Sequence, residues 1–253
     1  GIRGQGRRAR GGRGEGAAFG GGARSRPGGA DVGFLRRDDW DACAGEAGAV
    51  GPCCCGLGLA AGAGDLTAFS FYWPETGKLI VKAFLPSELV QAKQAEDHAP
   101  YAEWASAGLI ELIPGRAIDR AWLAVWIAQA IDGLDVVAIG SDRWCLSDFL
   151  AVCDREGITL PMVPVGMGFR DQSPAITAFE TVVLQGTLKH AGNPLLRWAV
   201  SNAALDMDPA GNRKLSKQRA RGRIDPLVAS VVAVGLAARE PVADELFFDV
   251  IAL

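Results

Sequence analysis

The first half of the chain alternates short apolar runs with turn residues, a pattern typical of β-strands. Three such runs cover residues 50–59, 66–73 and 78–85, and the first of them contains three consecutive cysteines. Residues 74–77 (Pro-Glu-Thr-Gly) form a turn signal between the second and third runs, so we predict a β-hairpin there. The pattern therefore predicts three antiparallel strands at the start of the folded region.

The second half is dominated by apolar positions at helical spacing, interrupted by short continuous apolar runs. The segment 117–131 is the clearest helix, because Ile118 and Trp122 lie on one apolar stripe, Asp119 caps its start and Gly133 follows its end. Further helices are predicted over residues 38–43, 86–96, 100–107, 146–155, 173–184 and 225–238. Strands are predicted over residues 134–140, 162–165 and 195–205, with a turn at 208–212.

This order of elements predicts an α/β fold with a mixed sheet, in which three antiparallel strands are followed by parallel strands and helices cover both faces. Residues 1–33 are dominated by Gly, Arg and Ala without any helical or strand period, and we predict that they are disordered. Such a tract is a solvated tail, a reading-frame or assembly artefact of a GC-rich gene, or a loose nucleic-acid contact. Residues 34–253 are predicted to form the single folded domain.

Composition narrows the class of protein. The net charge of −3 excludes overall basicity, so any nucleic-acid site must be a local patch. The six cysteines lack CxxC spacing, which favours reduced thiols over a disulfide framework, and with two histidines a zinc site is not expected. We find no apolar run of about 18 residues and no signal-peptide core, and we therefore expect a soluble intracellular protein without a membrane partner.

Two aspartates stand at the ends of predicted elements. Asp142 follows the strand-like run 136–141, and Asp225 opens the apolar helix 225–238. An unpaired carboxylate at the start of a buried helix costs several kcal/mol, so it usually has a partner or holds a metal. Each aspartate alone is equally consistent with a helix N-cap, whereas the pair indicates divalent-metal chemistry on phosphates.

A run of basic residues just before Asp225 is the best candidate for a phosphate-binding track. This basic segment, residues 213–223, contains no acid of its own, so it is either a DNA contact or a solvated loop. We predict an exposed, mobile loop or hairpin there. The candidate DNA-binding residues are Lys189, His190, Arg197, Lys214, Lys217, Arg219, Arg221 and Arg223. For His190 the alternatives are a position near the scissile phosphate and a structural role in the turn that ends at residue 194.

From about residue 38 to the end, the chain resembles the C-terminal nuclease domain of tailed-phage terminase large subunits, which has a ribonuclease-H-like fold. The stretches that carry the resemblance are Trp-Asp-Ala-Cys at 40–43, Asp-Leu-Thr-Ala at 65–68, Pro-Tyr-Ala-Glu-Trp at 100–104 with Gly108, Asp-Arg-Trp at 142–144, His-Ala-Gly-Asn-Pro at 190–194, Trp-Ala-Val-Ser-Asn at 198–202 and Arg-Ile-Asp at 223–225. The resemblance implies a metal-dependent endonuclease that cleaves concatemeric double-stranded DNA while a capsid is filled, in the cytoplasm of the bacterial host.

The resemblance also implies a site and partners. Asp142 and Asp225 would be the catalytic acids, and with Asp65 they would hold Mg²⁺ or Mn²⁺ in a two-metal arrangement. The implied partners are the portal protein, the terminase small subunit and an ATPase motor. A GxxxxGK[ST] phosphate loop does not occur in this sequence, so we expect the motor to be absent from this chain.

One position departs from the family pattern. The first strand of the family reads Gly-Leu-Asp-Leu, and here residues 56–59 read Gly-Leu-Gly-Leu, so Gly58 stands where the first metal-binding acid is expected. Two-metal cleavage needs acids that hold two cations about 4 Å apart. We therefore expect at least one metal site to be weakened. Asp65, across the predicted hairpin, is the candidate to compensate.

Three functions remain open on this basis. The first is an endonuclease of the terminase type, impaired by Gly58. The second is a catalytically inactive DNA-binding remnant of a prophage that keeps the fold. The third is another ribonuclease-H-like enzyme such as a Holliday-junction resolvase, which shares the acids but gives no reason for the segment 190–202.

Overall fold

A computed structural model describes residue 35, residues 37–59, residue 62 and residues 64–239, together with the backbone of residues 30 and 31. Apart from that short piece of backbone, the tail predicted to be disordered, residues 1–33, lies outside the described residues. Residues 240–253 lie outside them as well.

Nine strands and eight helices are found in the described part of the chain. In the described part, the strands are β1 (Ala30–Asp31), β2 (Cys53–Gly58), β3 (Thr67–Trp73), β4 (Lys78–Pro86), β5 (Ile110–Ile113), β6 (Val136–Asp142), β7 (Met162–Val165), β8 (Ala204–Met207) and β9 (Arg213–Leu215). The helices are α1 (Arg37–Ala42), α2 (Val90–Asp97), α3 (Tyr101–Ser106), α4 (Arg120–Ile131), α5 (Arg143–Glu156), α6 (Phe169–Leu184), α7 (Pro194–Asn202) and α8 (Asp225–Ala237), with a 3-10 turn at Ser87–Leu89.

Six strands form the central sheet in the order β5-β4-β3-β2-β6-β7. Strands β2, β3 and β4 pair in antiparallel fashion, whereas β6 is parallel to β2, β7 to β6 and β5 to β4. The predicted mixed sheet is therefore confirmed, as is the hairpin with its turn at residues 74–77. A second, three-stranded antiparallel sheet has the order β1-β8-β9.

Helices cover both faces of the central sheet, and β2 shows how its residues divide between them. Cys53, Cys55 and Leu57 face a core formed with Leu123 and Ile127 of α4 and with α5. The alternate positions of a strand point to the opposite face. On that face α8 packs together with α6 and α7, and every residue of α8 from Asp225 to Gly235 is buried. The six cysteines are free thiols, as predicted.

The prediction of a strand over residues 195–205 is wrong. The segment forms helix α7, which Asn193 caps by accepting a hydrogen bond from the backbone N–H of Leu196 at 3.1 Å. Pro194 stands in the first helical turn, where its missing N–H costs nothing. Asn followed by Pro was therefore a helix start signal. The prediction also missed the short strands β5, β8 and β9, whose three or four residues are too few to show a clear alternation. The turn predicted at residues 208–212 is confirmed, and it joins β8 to β9 in a hairpin.

Candidate active site

The backbones of β2 and α8 touch because glycines line the strand face beneath the helix. Gly56 pairs with Gly140 of the neighbouring parallel strand β6. A Cβ atom on Gly56 would lie only 2.0 Å from the backbone oxygen of Ala229, and one on Gly140 would lie 2.6 Å from a methyl group of Val232. Only glycine permits this approach, which fixes the start of α8 against the carboxyl end of β2.

Gly58 lies two residues further along β2, on the same face. A Cβ atom there would meet the backbone oxygen of Asp225 at 3.5 Å, that of Ala68 at 3.8 Å and the Cβ of Ala229 at 4.0 Å. These are ordinary van der Waals distances, so a Cβ atom fits at this position. Gly58 therefore lies beside the first residue of α8 without the close contact seen at Gly56.

Asp142 ends β6 next to the same place. Leu57 of β2 pairs with Ser141 of β6. Gly58 follows Leu57, and Asp142 follows Ser141 in the parallel neighbouring strand. Because side chains alternate along a strand, Asp142 lies on the same face as Gly140, which is the face covered by α8. Its Oδ1 atom accepts a hydrogen bond from the backbone N–H of Trp144 at 3.1 Å, so Asp142 is also the N-cap of α5.

Asp225 is 6% exposed and begins α8. Its Oδ1 atom lies 2.6 Å from the ammonium nitrogen of Lys217, which donates a hydrogen bond to it. The negative charge is also favoured by its position in the first turn of a helix. A buried carboxylate needs a compensating cation, and in this structure Lys217 provides it.

Asp65 contacts a different cation. Its Oδ1 atom accepts a hydrogen bond from Arg223 at 2.8 Å and lies 3.5 Å from the ammonium of Lys93. Arg223 also pairs with Glu96 and Asp97, at 3.2 and 3.3 Å. Burial alone lowers the pKa of the Arg223 guanidinium, but Asp97 and Asp65 outweigh that effect and raise it. Asp65 is thus part of a charge cluster that holds the segment preceding α8.

The donor set does not fit a two-metal centre. In residues 37–59 and 64–239 no three His, Cys, Asp or Glu side chains are grouped as ligands for a metal ion. Glycine occupies the position between Asp142 and the start of α8, and an ammonium group already lies on Asp225. The carboxylate of Asp65, the candidate to compensate for Gly58, is paired with Arg223 and Lys93.

The basic segment borders this site, but its charges are mostly paired. Carboxylates from other parts of the chain supply the partners: Arg213 pairs with Glu180 at 2.8 Å, Lys214 with Asp206 at 3.9 Å, Arg219 with Asp206 at 3.2 Å, and Lys217 and Arg223 with the acids described above. Its first three residues form strand β9, and Leu215 and Ser216 are buried. Arg221 is exposed and has no carboxylate partner within the described residues. The prediction was an exposed, mobile loop or hairpin: the start of the segment is indeed one strand of the β8–β9 hairpin, but Leu215 and Ser216 are not exposed.

The other three candidate DNA-binding residues have their partners elsewhere in the fold. The backbone of Lys189 pairs with Gly77 and Leu79 at the beginning of β4. Gly58 pairs with Ala68 of β3, and Ala68 pairs with Ala83 of β4, so Ala83 marks the level of Gly58 in the sheet. The beginning of β4, where Lys189 pairs, is about 17 Å along the strand from Ala83. Arg197 forms an ion pair with Asp41 of α1.

His190 is a core residue in this structure. It is 2% exposed, its ring stacks on Trp40 with centroids 4.1 Å apart, and its Nε2 atom lies 3.0 Å from the Trp40 carbonyl oxygen. Its Nδ1 atom is buried without a hydrogen-bond partner. Burial lowers the pKa of His190 below its ordinary value of 6.5, which keeps the ring neutral. The imidazole does not reach the surface, and the structural alternative for His190 is the one this geometry supports.

The comparisons with known proteins agree with this architecture. The family model of the endonuclease domain of terminase large subunits matches residues 34–240, a range that includes Gly58, Asp142 and Asp225. The chain belongs to this family. The resemblance stated from the sequence motifs is thereby confirmed.

Individual relatives show how much of a terminase large subunit this nuclease domain represents. The large subunit of Enterobacteria phage HK97 is 35% identical over 169 residues, which are 67% of this chain and 31% of that protein. The solved structure of the HK97 large terminase matches with a TM-score of 0.75 at 32% identity, over 80% of this chain and 43% of that one. The chain thus spans less than half the length of these relatives.

A more distant structure supports the fold alone. The large terminase nuclease of thermophilic phage G20c matches with a TM-score of 0.50 at 13% identity, over 74% of this chain and 82% of that one. The ribonuclease-H-like fold predicted from the sequence is therefore confirmed. Among the described residues, no helix of this terminase nuclease domain has both the length and the apolarity to span a bilayer.

Sequence reasoning missed the contact between Lys217 and Asp225. The only signal was the presence of Lys217 in a basic run eight residues before the aspartate. It also missed Glu96 and Asp97, which hold Arg223 from α2. These partners come from segments far apart in sequence, so spacing alone did not reveal them.

Proposed function

We propose that this chain is the nuclease domain of a phage terminase large subunit, which binds concatemeric double-stranded DNA during genome packaging and in which metal-dependent cleavage is strongly weakened. The observation that carries the proposal is the place of Gly58. Gly58 lies where β2 ends, beside Asp142 on β6. A Cβ atom on Gly58 would lie 3.5 Å from the backbone oxygen of Asp225. A carboxylate at this point would connect the two remaining acids.

The weakness follows from the chemistry of phosphodiester cleavage. Two-metal sites clamp the attacking and leaving oxygens between cations, and each cation needs carboxylate oxygens to hold it. Here Asp142 caps α5 and Asp225 is paired with Lys217, so each carboxylate already has a partner within the protein. Mg²⁺ or Mn²⁺ remains the proposed metal, with reduced affinity until an acid is restored at position 58.

The partners are proposed from the family and the charge distribution. DNA is the proposed substrate, approached through the exposed part of the basic segment, above all Arg221. The portal protein, the terminase small subunit and an ATPase motor are proposed partners, with the bacterial host cytoplasm as the location, because the chain belongs to the family of terminase large subunits.

A plasmid-nicking assay with Mn²⁺ tests the proposal on the parent chain and on Gly58→Asp. Gly58→Asn is the control, because asparagine has a similar size but no charge. We expect Gly58→Asp to nick at least about tenfold faster, since even outer-shell groups are worth 10–100-fold. Gly58→Asn should match the parent protein. Equal rates for the parent and Gly58→Asp would show that position 58 is not a metal-ligand position.

A second candidate function is a catalytically inactive DNA-binding domain, favoured by the ammonium of Lys217 on Asp225. The two functions differ in the residual activity of the parent chain. Nicking that Asp225→Asn abolishes indicates a weak nuclease. An inactive DNA-binding domain is indicated by two results together. The parent chain nicks no faster than Asp225→Asn, and fluorescence anisotropy shows salt-dependent binding of a labelled duplex.

A further inference from the structure

The carboxylate of Asp225 has one charged partner among the described residues, and that partner is a lysine. The side chain of Asp225 is 8% exposed, and that of Lys217 is 56% exposed. The Nζ–Oδ1 distance of 2.6 Å is that of a strong, charge-assisted hydrogen bond. Lys217 therefore reaches inward from the surface and neutralises a charge that the core cannot solvate.

The backbone around Lys217 keeps the ammonium close to Asp225 while leaving its side chain accessible. Ser216 is buried just before it, and the N–H of Ala220 donates to the Ser216 carbonyl at 3.0 Å, closing a turn over residues 216–220. The neighbouring Arg219 pairs with Asp206 instead. Lys217 is thus the member of this turn that is dedicated to Asp225.

An ammonium and a divalent ion cannot use this carboxylate in the same way at the same time. Mg²⁺ binds carboxylate oxygens at about 2.0–2.1 Å, on the lone pairs that a hydrogen-bond donor uses. Two cations about 4 Å apart near a protein surface also repel one another by several kcal/mol. Occupation of Asp225 by one of them therefore opposes occupation by the other.

We propose that Lys217 is a tethered counter-ion of Asp225, which takes the place of a divalent ion there and has to leave before an ion can bind. This inference rests on the proposed function only in treating Asp225 as a metal-ligand position. It explains the mismatch between this site and a two-metal centre by two features together, Gly58 and the Lys217–Asp225 pair. The large exposed fraction of Lys217 gives its ammonium a route into solvent or onto a DNA phosphate.

Mn²⁺ titration by isothermal calorimetry measures this competition without DNA or cleavage. The background is Gly58→Asp, and the variants added to it are Lys217→Ala and, as a matched control from the same segment, Arg221→Ala. We expect Lys217→Ala to tighten Mn²⁺ binding at least about fivefold, because a competing cation is removed. Arg221→Ala should leave the affinity within about twofold, because its side chain has no carboxylate partner to release among the described residues.

Thermal unfolding of the single variant Lys217→Ala supplies a second measurement that does not depend on the Gly58→Asp protein. In EDTA its Tm should fall below that of Arg221→Ala, because Asp225 is left buried and unpaired. Added Mn²⁺ should raise its Tm more than that of the control. A loss of Tm in Lys217→Ala without stronger Mn²⁺ binding would overturn the proposal, as would the absence of any difference between Lys217→Ala and Arg221→Ala. The nicking result for Gly58→Asp is independent of both outcomes.

Discussion

Replacing Gly56 by alanine should strongly destabilise the domain, because the new methyl group has nowhere to go. Its Cβ would lie 2.0 Å from the Ala229 oxygen and 2.9 Å from the Ala229 carbonyl carbon, both of them backbone atoms of α8. Ordinary contact begins at 3.4 Å, so β2 and α8 must separate by about 1.4 Å. Overpacking of a core usually costs about 1–3 kcal/mol. We expect about 3 kcal/mol or more, since a whole buried helix has to move.

Gly58→Ala is the matched control, two residues away on the same strand face. Its Cβ would find contacts at 3.5, 3.8 and 4.0 Å, which require no movement. Glycine is also entropically unfavourable within a strand, and alanine at a compatible position gains about 0.4–1 kcal/mol. The control should therefore be neutral or slightly more stable than the parent chain.

Urea unfolding followed by tryptophan fluorescence and far-ultraviolet circular dichroism measures both variants. The expected result is a lower midpoint for Gly56→Ala at an unchanged slope, and no loss for Gly58→Ala. Equal midpoints for the two variants would refute the close approach of β2 and α8. A loss of stability in Gly58→Ala would instead remove the argument that position 58 has room for a Cβ atom.

Two further predictions concern charged and titratable groups away from this contact. Arg223→Ala should lower the free energy of unfolding by about 2 kcal/mol or more, because Asp97, with a side chain 10% exposed, loses its cation. In the same denaturation assay Arg221→Ala should change the free energy of unfolding by less than about 0.5 kcal/mol. Similar losses in both variants would contradict a stabilising role of the charge cluster around Arg223. His190, whose pKa burial lowers from 6.5, should stabilise the fold above about pH 6.5 and lose that contribution as the pH falls, because the unfolded chain binds the proton first. The Tm of His190→Gln should consequently vary less than that of the parent between about pH 7 and 5, and identical pH profiles would show that the ring does not titrate with folding.

Local signals explain which parts of the fold could be predicted from the sequence. The hairpin turn at 74–77 and the cap Asp119, whose Oδ1 accepts hydrogen bonds from the N–H groups of Ala121 and Trp122, are encoded within a few residues. The strand prediction for residues 195–205 was wrong because it gave more weight to the apolar residues of the run than to the Asn-Pro helix start signal before it. Strands β5, β8 and β9 have three or four residues each, which is too short for an alternating pattern to be recognised.

The candidate site was predictable where its residues end an element. Asp142 and Asp225 stood out because each follows or opens an apolar run, and Gly58 stood out once the family motif was recognised. The ion pairs did not stand out. Lys217 contacts Asp225 only because a turn brings it back, and Arg223 meets acids 126 to 158 residues away.

The glycine contact between β2 and α8 also has a consequence for motion. Because main chain rests on main chain at Gly56, no side chain can change rotamer to let the helix slide along the strand. Strand and helix should open as one cooperative unit, and their amide protons should exchange with solvent only through global unfolding. The spacing between the end of β2 and the first turn of α8 is thereby preset, whatever residue occupies position 58.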